Sequence, residues 1–559
     1  MVFSPASQFM VAKMVGDGNS SIGEGLNDRL DGVPTGLEQD SVLVFSDGIG
    51  KAWSAWGDLL CALYRKKMPP PSSDVLLQRF GYWTDNGADY YYNYDLDRGY
   101  ADTLLDLVKR YRDEQIPLGY LQLDSWWYEK SINDPSGKPG GAKKSNRLPY
   151  GAWNRYGGLM EYRADPDLFP SGLSAFQKLV GLPMATHNRW VDRDSPYHEK
   201  YKISGIASVD PAWWKDTMDY LSSSGVTCYE QDWLDPIYAN SPEMPSKVGV
   251  ADAFTDDMAS SARSHFMTMQ YCMATPRFFL QGVKYPNLTT IRTSGDRFEP
   301  RKWADFLYGS QLALGSGIWP WCDVFKSSEL GNLTLAVLSG GPVGTGDAMG
   351  KENKANILSA CLPDGTIVRP DRPIVPCDQT YLDGATGATS PFLASTYTFQ
   401  SRVRTAYLFA FPRPRGGHDF SISLHDLGVA GPAYAYDLVG RHGGRLGDGS
   451  SLHDTSDAYS YWMVAPVSRV GAALLGDLSK LVPTGSARVE VIRNAASGLV
   501  FKVHFGRGEK KATISVWSEA PVKTQAVSGS ATIGAQDSAG IQSIDVSPAG
   551  DSATVRVFR

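Results

Sequence analysis

Short apolar runs alternate with longer amphipathic stretches between residues 79 and 345. In "YADTLLDLVKRYRDEQ", for example, Leu104, Val108 and Tyr111 recur at helical spacing. We predict strands at 79–84, 117–124, 181–187, 226–232, 266–273, 288–292, 316–323 and 335–343. Eight strands, mostly joined by helices, within about 265 residues predict an α/β fold of the (β/α)8 TIM-barrel type. A doubly wound open sheet also alternates in this way, but no Gly-rich phosphate loop follows the first strand.

The pattern changes on either side of this region. Beyond about residue 380, short β-branched or aromatic runs such as "TAYLFAF" and "GLVFKVHF" recur between Gly-rich turns, which predicts an antiparallel β-sandwich. The first residues mix strand-like "SVLVFSD" with helix-like "AWSAWGDLLCALYRKK". We therefore predict a short N-terminal β-rich region with its linker at 1–78, a catalytic barrel at 79–375 and a C-terminal β-sandwich at 376–559.

Composition excludes several classes of function. The net charge of −6 and the lack of a basic cluster argue against nucleic-acid binding. No segment reaches the roughly 18 apolar residues of a membrane span, and no signal peptide is evident, so we expect a soluble protein whose compartment and oligomeric state stay open. The six cysteines lack CxxC spacing and histidines are few, so we predict no disulfide scaffold, no metal site and no cofactor.

Acidic residues recur where the predicted strands end. Active sites of TIM barrels lie at the carboxyl ends of the strands, and an isolated Asp there is usually a turn or capping residue. Here the ends of several strands carry such groups: Asp124, His187, Asp232, Arg292 with Asp296, Asp323, and Asp347 just past the eighth. Tryptophans accompany them, among which we expect Trp83, Trp126 and Trp233 to contact substrate. Acids and indoles around one mouth suit a neutral polyol such as a sugar, and we expect His187 to be structural.

The motifs "RFGYWTDNG", "LQLDSWW", "FPSG", "YEQDW", "IRTSGDRF" and "SGGPVGTGD" together resemble the α-galactosidase clan of glycoside hydrolases over roughly 40–375. The closest resemblance is to family 36, with its alkaline α-galactosidases, raffinose-synthase-like proteins and seed imbibition proteins. This resemblance implies that Asp232 is a nucleophile and Asp296 an acid/base. It also implies that Arg292 contacts the sugar near O2 and that Asp124 holds the O4/O6 side. The N-terminal sandwich of the family is longer than residues 1–78, so we expect a truncated or alternatively started form.

Two positions depart from the family pattern. Glu230 stands where the family has a lysine two residues before the nucleophile, and Ser125 replaces the second aspartate of the second-strand motif. Both changes affect positions that recognise the sugar in the family, so the resemblance does not identify the sugar. The two catalytic acids are unchanged. We expect Glu230, Asp323 and Asp347 to contact substrate as well.

The resemblance therefore predicts a retaining α-glycosidase, most simply an α-galactosidase, that acts on an oligosaccharide or glycoside by double displacement. One alternative is a transglycosidase of the raffinose-synthase type, in which the aromatic-rich loop at 128–165 builds an acceptor site. The other is a catalytically degenerate carbohydrate-binding protein, which Glu230 and Ser125 would suggest.

Overall fold

The N-terminal region is a small β structure with one long helix. The computed structural model of the chain describes residues 1–16, 21–95, 97–138 and 156–559. Its first elements are β1 Val2–Pro5, β2 Ala12–Gly16, β3 Ile22–Leu26, β4 Ser41–Val44, α1 Ile49–Tyr64 and α2 Val75–Gln78. Strand β1 pairs with β4, and β2 with β3, both antiparallel. The predicted boundary at 78/79 falls just after α2.

The central region is an eight-stranded parallel barrel with helices between its strands. The eight barrel strands are β5 Gly81–Trp83, β6 Tyr120–Leu123, β9 Met184–Asn188, β12 Val226–Gln231, β13 Thr268–Tyr271, β14 Leu288–Arg292, β15 Trp319–Trp321 and β16 Gly344–Thr345. The connecting segments add four short strands, β7 Tyr128–Lys130, β8 Leu159–Ala164, β10 Ile203–Ser204 and β11 Ala207–Ser208. Its helices are α3 Tyr100–Asp113, α4 Gly172–Val180, α5 Tyr197–Lys200, α6 Pro211–Ser223, α7 Leu234–Asn240, α8 Val250–Ser264, α9 Pro276–Gln281, α10 Trp303–Gly315, α11 Leu330–Leu338 and α12 Lys354–Ala360. The predicted TIM-barrel fold is confirmed.

The barrel sheet has the order β15-β14-β13-β12-β9-β6-β5-β16, while β7–β8 and β10–β11 form separate two-stranded pairs in the loops. Within the described residues, no ladder pairs β15 with β16. The chain before and after β16 closes this side instead: Ser339 Oγ donates to Pro320 O (3.4 Å), and Gly346 N donates to Phe325 O (3.1 Å). Gly341 makes the approach possible, because a Cβ built on it would lie 1.8 Å from Pro320 O.

The eighth strand is the one barrel strand that the sequence pattern misplaces. The predicted strand at 335–343 overlaps the end of α11, and the observed strand is β16, Gly344–Thr345. Helix α11 is buried along all sides from Gly331 to Leu338, so its apolar residues are not confined to one face and its sequence shows no helical period. A fully buried helix and a buried strand give the same apolar run.

The C-terminal region is antiparallel β structure, as predicted, but it contains two β units. After β17 Val375–Pro376 and α13 Asp378–Thr386, the first unit contains β18 Phe392–Gln400, β19 Val403–Phe411, β20 Asp419–Ser423, β21 Ala433–Asp437, β22 His442–Leu446, β23 Ser451–Thr455 and β24 Ser460–Pro466. The second contains β25 Ala472–Gly476, β26 Val489–Ala495, β27 Gly498–His504, β28 Ala512–Ser518, β29 Lys523–Ser528, β30 Ser530–Ile533, β31 Ile541–Ser547 and β32 Ser552–Phe558. Each unit has its own cluster of buried apolar side chains.

Alternation along β19 joins the first unit to the barrel. Successive side chains of a strand point to opposite faces, and here Leu408 belongs to the core of the β unit whereas Phe409 and Phe411 belong to the barrel core. The Trp303 ring of α10 lies 5.3 Å from the Phe409 ring and 5.4 Å from the Phe411 ring. One strand thus contributes to two hydrophobic cores. No helix in the described part of the chain is long and apolar enough to cross a membrane.

Gly341→Ala tests the closure between β15 and β16. The added methyl group would overlap the Pro320 carbonyl, so the backbone must shift, at a cost of about 1–3 kcal/mol. We expect a lower apparent melting temperature by circular dichroism than for Gly444→Ala, whose added Cβ would meet no atom within 4 Å. Equal melting of the two variants would contradict this account of the closure.

Candidate active site

A pocket opens at the carboxyl ends of the barrel strands. Its empty space, open mouth included, is about 400 Å³. Seven of the eight strands, or the residues just after them, supply lining groups, as expected for the catalytic face of a TIM barrel. Among the described residues, the lining consists of Asp85, Asn86, Tyr91, Asp124, Tyr156, Arg189, Glu230, Asp232, Trp233, Cys272, Met273, Arg292, Asp296 and Asp323. Six carboxyl groups and two guanidinium groups therefore share one small cavity.

Asp232 is the carboxylate with the best set of donors. It follows β12, and its Oδ1 accepts the backbone N–H of Trp233 (2.6 Å) while its Oδ2 accepts from His187 Nε2 (3.0 Å). The Cys272 thiol is a third donor. Burial by itself would raise the pKa of Asp232, but the His187 hydrogen bond, with smaller contributions from Arg292 and Cys272, outweighs it and holds the pKa below its usual range. Asp232 is therefore an ionised, oriented carboxylate at neutral pH.

His187 orients Asp232 and is itself held by Tyr128. Its Nδ1 lies 3.0 Å from Tyr128 Oη, and its ring is almost completely buried. The Nε2–H group donates to Asp232, and the Tyr128 contact on the other ring nitrogen fixes the orientation of the ring. His187 contacts Asp232 and is not among the residues that line the pocket, and its structural role stays a prediction.

Arg292 connects the carboxylates on the other side of the pocket. At the end of β14, its Nη2 lies 2.9 Å from Asp296 Oδ1, and its Nη1 pairs with Asp323 Oδ2. Its side chain is only 8% exposed and that of Asp323 is 1% exposed, whereas that of Asp296 is 52% exposed. Burial raises the pKa of Asp323 to about 7, against the lowering effect of Arg292. Asn86 Nδ2 also donates to Asp296 (3.1 Å).

A second group of acids lies beside Gln122 of β6. Its Nε2 donates to Asp85 Oδ1 (2.7 Å) and to Glu230 Oε2 (2.9 Å). Burial is the main reason why the pKa values of both acids lie well above their usual range, and the neighbouring acids raise them further. Asp124, the next acid, accepts from the backbone N–H of Ser125 (2.5 Å) and from its hydroxyl group (2.7 Å). The serine that departs from the family pattern is thus a donor to Asp124.

In the loops that follow β12, β13 and β14, three residues adopt left-handed backbone conformations. They are Trp233 (φ 59°), Met273 (φ 47°) and Arg297 (φ 53°). Each directly follows a residue that lines the pocket: Asp232, Cys272 and Asp296 respectively. Such conformations are uncommon outside glycine and cluster at functional sites, where the surrounding structure enforces them. Here the sharp turn after each strand leaves the preceding side chain facing the cavity.

Comparisons with known proteins relate the chain to one curated enzyme and to solved structures of glycosidases. No family model matches the chain. A curated relative, the galactinol–sucrose galactosyltransferase of Pisum sativum, is 28% identical over 199 residues. The resemblance to the α-galactosidase clan is confirmed. The match covers 31% of this chain and 24% of that enzyme, so the chain spans about a quarter of the relative's length. The assignment to family 36 remains a prediction.

Solved structures of glycosidases resemble the chain at low sequence identity. A β-L-arabinopyranosidase of Geobacillus stearothermophilus is 12% identical, with a TM-score of 0.48 over 70% of this chain and 97% of that one. An isomalto-dextranase of Arthrobacter globiformis, solved with panose, is 12% identical, with a TM-score of 0.47 over 88% and 96% of the two chains.

The structure does not bring three of the predicted contact residues to the pocket. Trp83 is buried against Trp321 and Phe325, and Trp126 stacks on Tyr100 with ring centroids 3.6 Å apart. Asp347 accepts from the backbone N–H of Ser327 and so fixes a loop. In this structure, Trp83 and Trp126 belong to the packed interior, and Asp347 belongs to a turn. The other predicted residues line the pocket together: Asp124, Glu230, Asp232, Trp233, Arg292, Asp296 and Asp323.

Several residues at the pocket lay outside the sequence-based set. Asp85 follows β5 by two residues, as Asp323 follows β15, so the same rule about strand ends would have found it. Cys272 directly follows β13, and Arg189 directly follows β9. The predicted acceptor loop at 128–165 falls partly outside the described residues, at 139–155. In the part of the chain that the structure describes, no group of three His, Cys, Asp or Glu side chains could hold a metal ion.

Arg292→Met tests whether this guanidinium stabilises the pocket. Removing it leaves Asp323 buried without its cation, and breaking a buried pair costs about 3–5 kcal/mol. Denaturant unfolding followed by tryptophan fluorescence should show the loss. Adding Asp323→Asn should restore part of it, because the buried carboxyl group that has lost its partner is then gone.

Arg301→Met is the control for the Arg292 experiment. Arg301 forms an ion pair with Glu299, but its side chain is 76% exposed, so its removal should change stability by less than about 1 kcal/mol. If Arg292→Met and Arg301→Met unfold alike, Arg292 does not organise the pocket.

Proposed function

We propose that the chain is a retaining α-glycosidase, most simply an α-galactosidase of the family 36 type. The observation that carries the proposal is Asp232 itself. It is an ionised carboxylate, held by His187, the Trp233 backbone and the Cys272 thiol, and it lines the same pocket as a second, half-exposed carboxylate, Asp296. An oriented carboxylate and a second carboxyl group at one substrate are the parts that double displacement needs.

In the first step, an oxygen of Asp232 bonds to the anomeric carbon while the bond from that carbon to the leaving oxygen breaks. Asp296 gives its proton to the leaving oxygen. In the second step, Asp296 takes a proton from water, and the water oxygen replaces Asp232 at the anomeric carbon. Two inversions give net retention, and the mechanism requires no cofactor.

Substrate has to change the surroundings of Asp296 for this to occur. Without ligand, Arg292 and Asn86 both contact its carboxylate. A general acid carries a proton, so we infer that the sugar takes over the Arg292 donor and releases Asp296. Arg292 keeps its second partner, Asp323, and therefore stays in place.

Transfer to a sugar acceptor is a second candidate function. The observation in its favour is the sequence match to the galactinol–sucrose galactosyltransferase of Pisum sativum. Both reactions share the glycosyl–Asp232 intermediate and differ only in whether water or a sugar hydroxyl group attacks it. The acceptor then decides the product.

Hydrolysis of a panel of glycosides tests the proposal. The panel consists of aryl α-galactoside, α-glucoside, α-N-acetylgalactosaminide and β-L-arabinopyranoside. We expect turnover of one sugar, and a fall of roughly 10⁴-fold in Asp232→Asn, which keeps the shape of the side chain but cannot act as a nucleophile. Asp235→Asn, an exposed aspartate three residues later, is the matched control and should retain activity.

Product analysis with sucrose as acceptor separates the two candidates. Free monosaccharide as the main product supports hydrolysis, and a trisaccharide as the main product supports transfer. The folded protein could also bind a sugar and yet form neither product from any of a full set of unactivated sugars. This result would contradict both hydrolysis and transfer, and it would leave the carbohydrate-binding alternative.

A further inference from the structure

Gln122 contacts two acids with a single amide nitrogen. Its Nε2 donates to both Asp85 Oδ1 and Glu230 Oε2, and its Oε1 accepts from the backbone N–H of Thr84 (3.1 Å). Gln122, Asp85 and Glu230 are each at most 3% exposed. The amide is neutral, so it satisfies two carboxyl oxygens without balancing any charge. Two carboxylates buried around a neutral amide would be costly, because a buried charge needs a partner of opposite charge.

The second oxygen of Asp85 identifies one position for a proton. Asp85 Oδ2 is buried and has no hydrogen-bond donor. Asp85 does lie within hydrogen-bonding reach of Asp124, whose Oδ1 already accepts twice from Ser125. Two ionised carboxylates would repel each other here, whereas a carboxylic acid can donate to a carboxylate. A proton on Asp85 therefore accounts for both the close approach and the orphaned oxygen.

Glu230 has similar surroundings and, like Asp85, lines the cavity. One of its oxygens accepts from Gln122, and its side chain lines the pocket. The charged groups around it are mostly acids: Asp85, Asp124 and Asp232, with Arg292 as the cation. The other titratable neighbours are His187 on β9, the buried thiols Cys228 and Cys272, and the buried phenols Tyr162 and Tyr229. Burial raises the pKa of each of these thiols and phenols, so they stay neutral.

We propose that Asp85 and Glu230 are neutral carboxylic acids in the folded protein, and that Glu230 donates its proton in a hydrogen bond to a substrate hydroxyl group. Asp85 donates to Asp124 and positions it as an acceptor. Glu230 is then a specificity-determining residue that supplies a donor where the family has a lysine. The part that concerns substrate rests on the proposed glycosidase function, while the protonation states do not.

The sign of the pH effect on stability follows from linkage. A free Glu loses its proton near pH 4.3, and burial is the main cause that raises the pKa of Glu230 well above this value in the folded chain. Above about pH 4.3, the folded state therefore binds one proton more than the unfolded state, and stability falls as pH rises. Glu230→Gln removes this loss, because an amide does not titrate.

Infrared spectroscopy tests the protonation states without any substrate. A protonated carboxyl group has a C=O stretch that is separate from the bands of a carboxylate. We expect Asp85→Asn and Glu230→Gln each to lose such a band at neutral pH, whereas Asp235→Asn loses none. If neither variant loses a band, the proposal is overturned, and loss in one variant only overturns the assignment of the other residue.

Thermal unfolding across pH gives a second readout that needs no activity. The melting temperature of Glu230→Gln should exceed that of the wild type by a margin that grows from about pH 5 to about pH 8. A margin that stays constant over this range would mean that Glu230 is already ionised in the folded state, contrary to the proposal.

The role in specificity needs a substrate, identified from the glycoside panel. For the wild type, KM should rise at alkaline pH as Glu230 ionises, and for Glu230→Gln it should not vary in this way. Glu230→Met, which has no donor, should have a KM about tenfold above that of Glu230→Gln at each pH, as expected for one lost hydrogen bond. Equal KM values for the two variants would overturn the donor role, and an inactive wild type with the predicted infrared bands would refute only the glycosidase function.

Discussion

The guanidinium of Arg292 is the cation around which the acids of this pocket are arranged. It pairs with Asp296 and Asp323, and it contributes to the low pKa of Asp232. Six carboxyl groups in one cavity would repel one another if all were ionised. The acids near Arg292 are paired with a cation, whereas the acids near Gln122 contact only a neutral amide. The position of Arg292 thus divides these acids into a group with a cation beside it and a group that we propose to be protonated.

This division gives a physical meaning to the change from lysine to Glu230. A lysine at this position would bring a third cation into the pocket, beside Arg189 and Arg292, and keep its acidic neighbours ionised. A protonated glutamic acid supplies a donor but no charge. Asp85 then has no cation to pair with, and the proton that we propose for it is the consequence. Ser125 fits the same picture, because it gives Asp124 two donors where a second acid would add repulsion.

Much of the barrel could be predicted from sequence because its short strands are separated by amphipathic helices. Strand β14, for example, has the predicted bounds of 288–292. Helix α11 could not be recognised, because burial on all sides removes its periodic pattern. Similarly, the sequence did not indicate that β19 contributes to two hydrophobic cores, because apolar side chains occupy both of its faces.

The candidate site was predictable where a side chain lies within two residues of the end of a strand. Asp124 and Asp232 were found in this way, and Asp85 could have been found by the same rule. Orientation was not predictable. Trp126 is adjacent to Ser125 but stacks inside the fold, whereas Trp233, whose backbone is left-handed, lines the pocket. No sequence pattern indicated which acids share Gln122, since their contact joins three different strands or strand ends.

The most direct test of the account is to trap the glycosyl-enzyme and locate the sugar. A fluorinated α-galactosyl donor with a good leaving group forms the intermediate quickly but slows its breakdown, so that peptide mass spectrometry can find the labelled residue. The account predicts one sugar per chain on the peptide that contains Asp232, and no label in Asp232→Asn. A label on another carboxylate, or turnover of natural α-galactoside with inversion at the anomeric carbon, would contradict it.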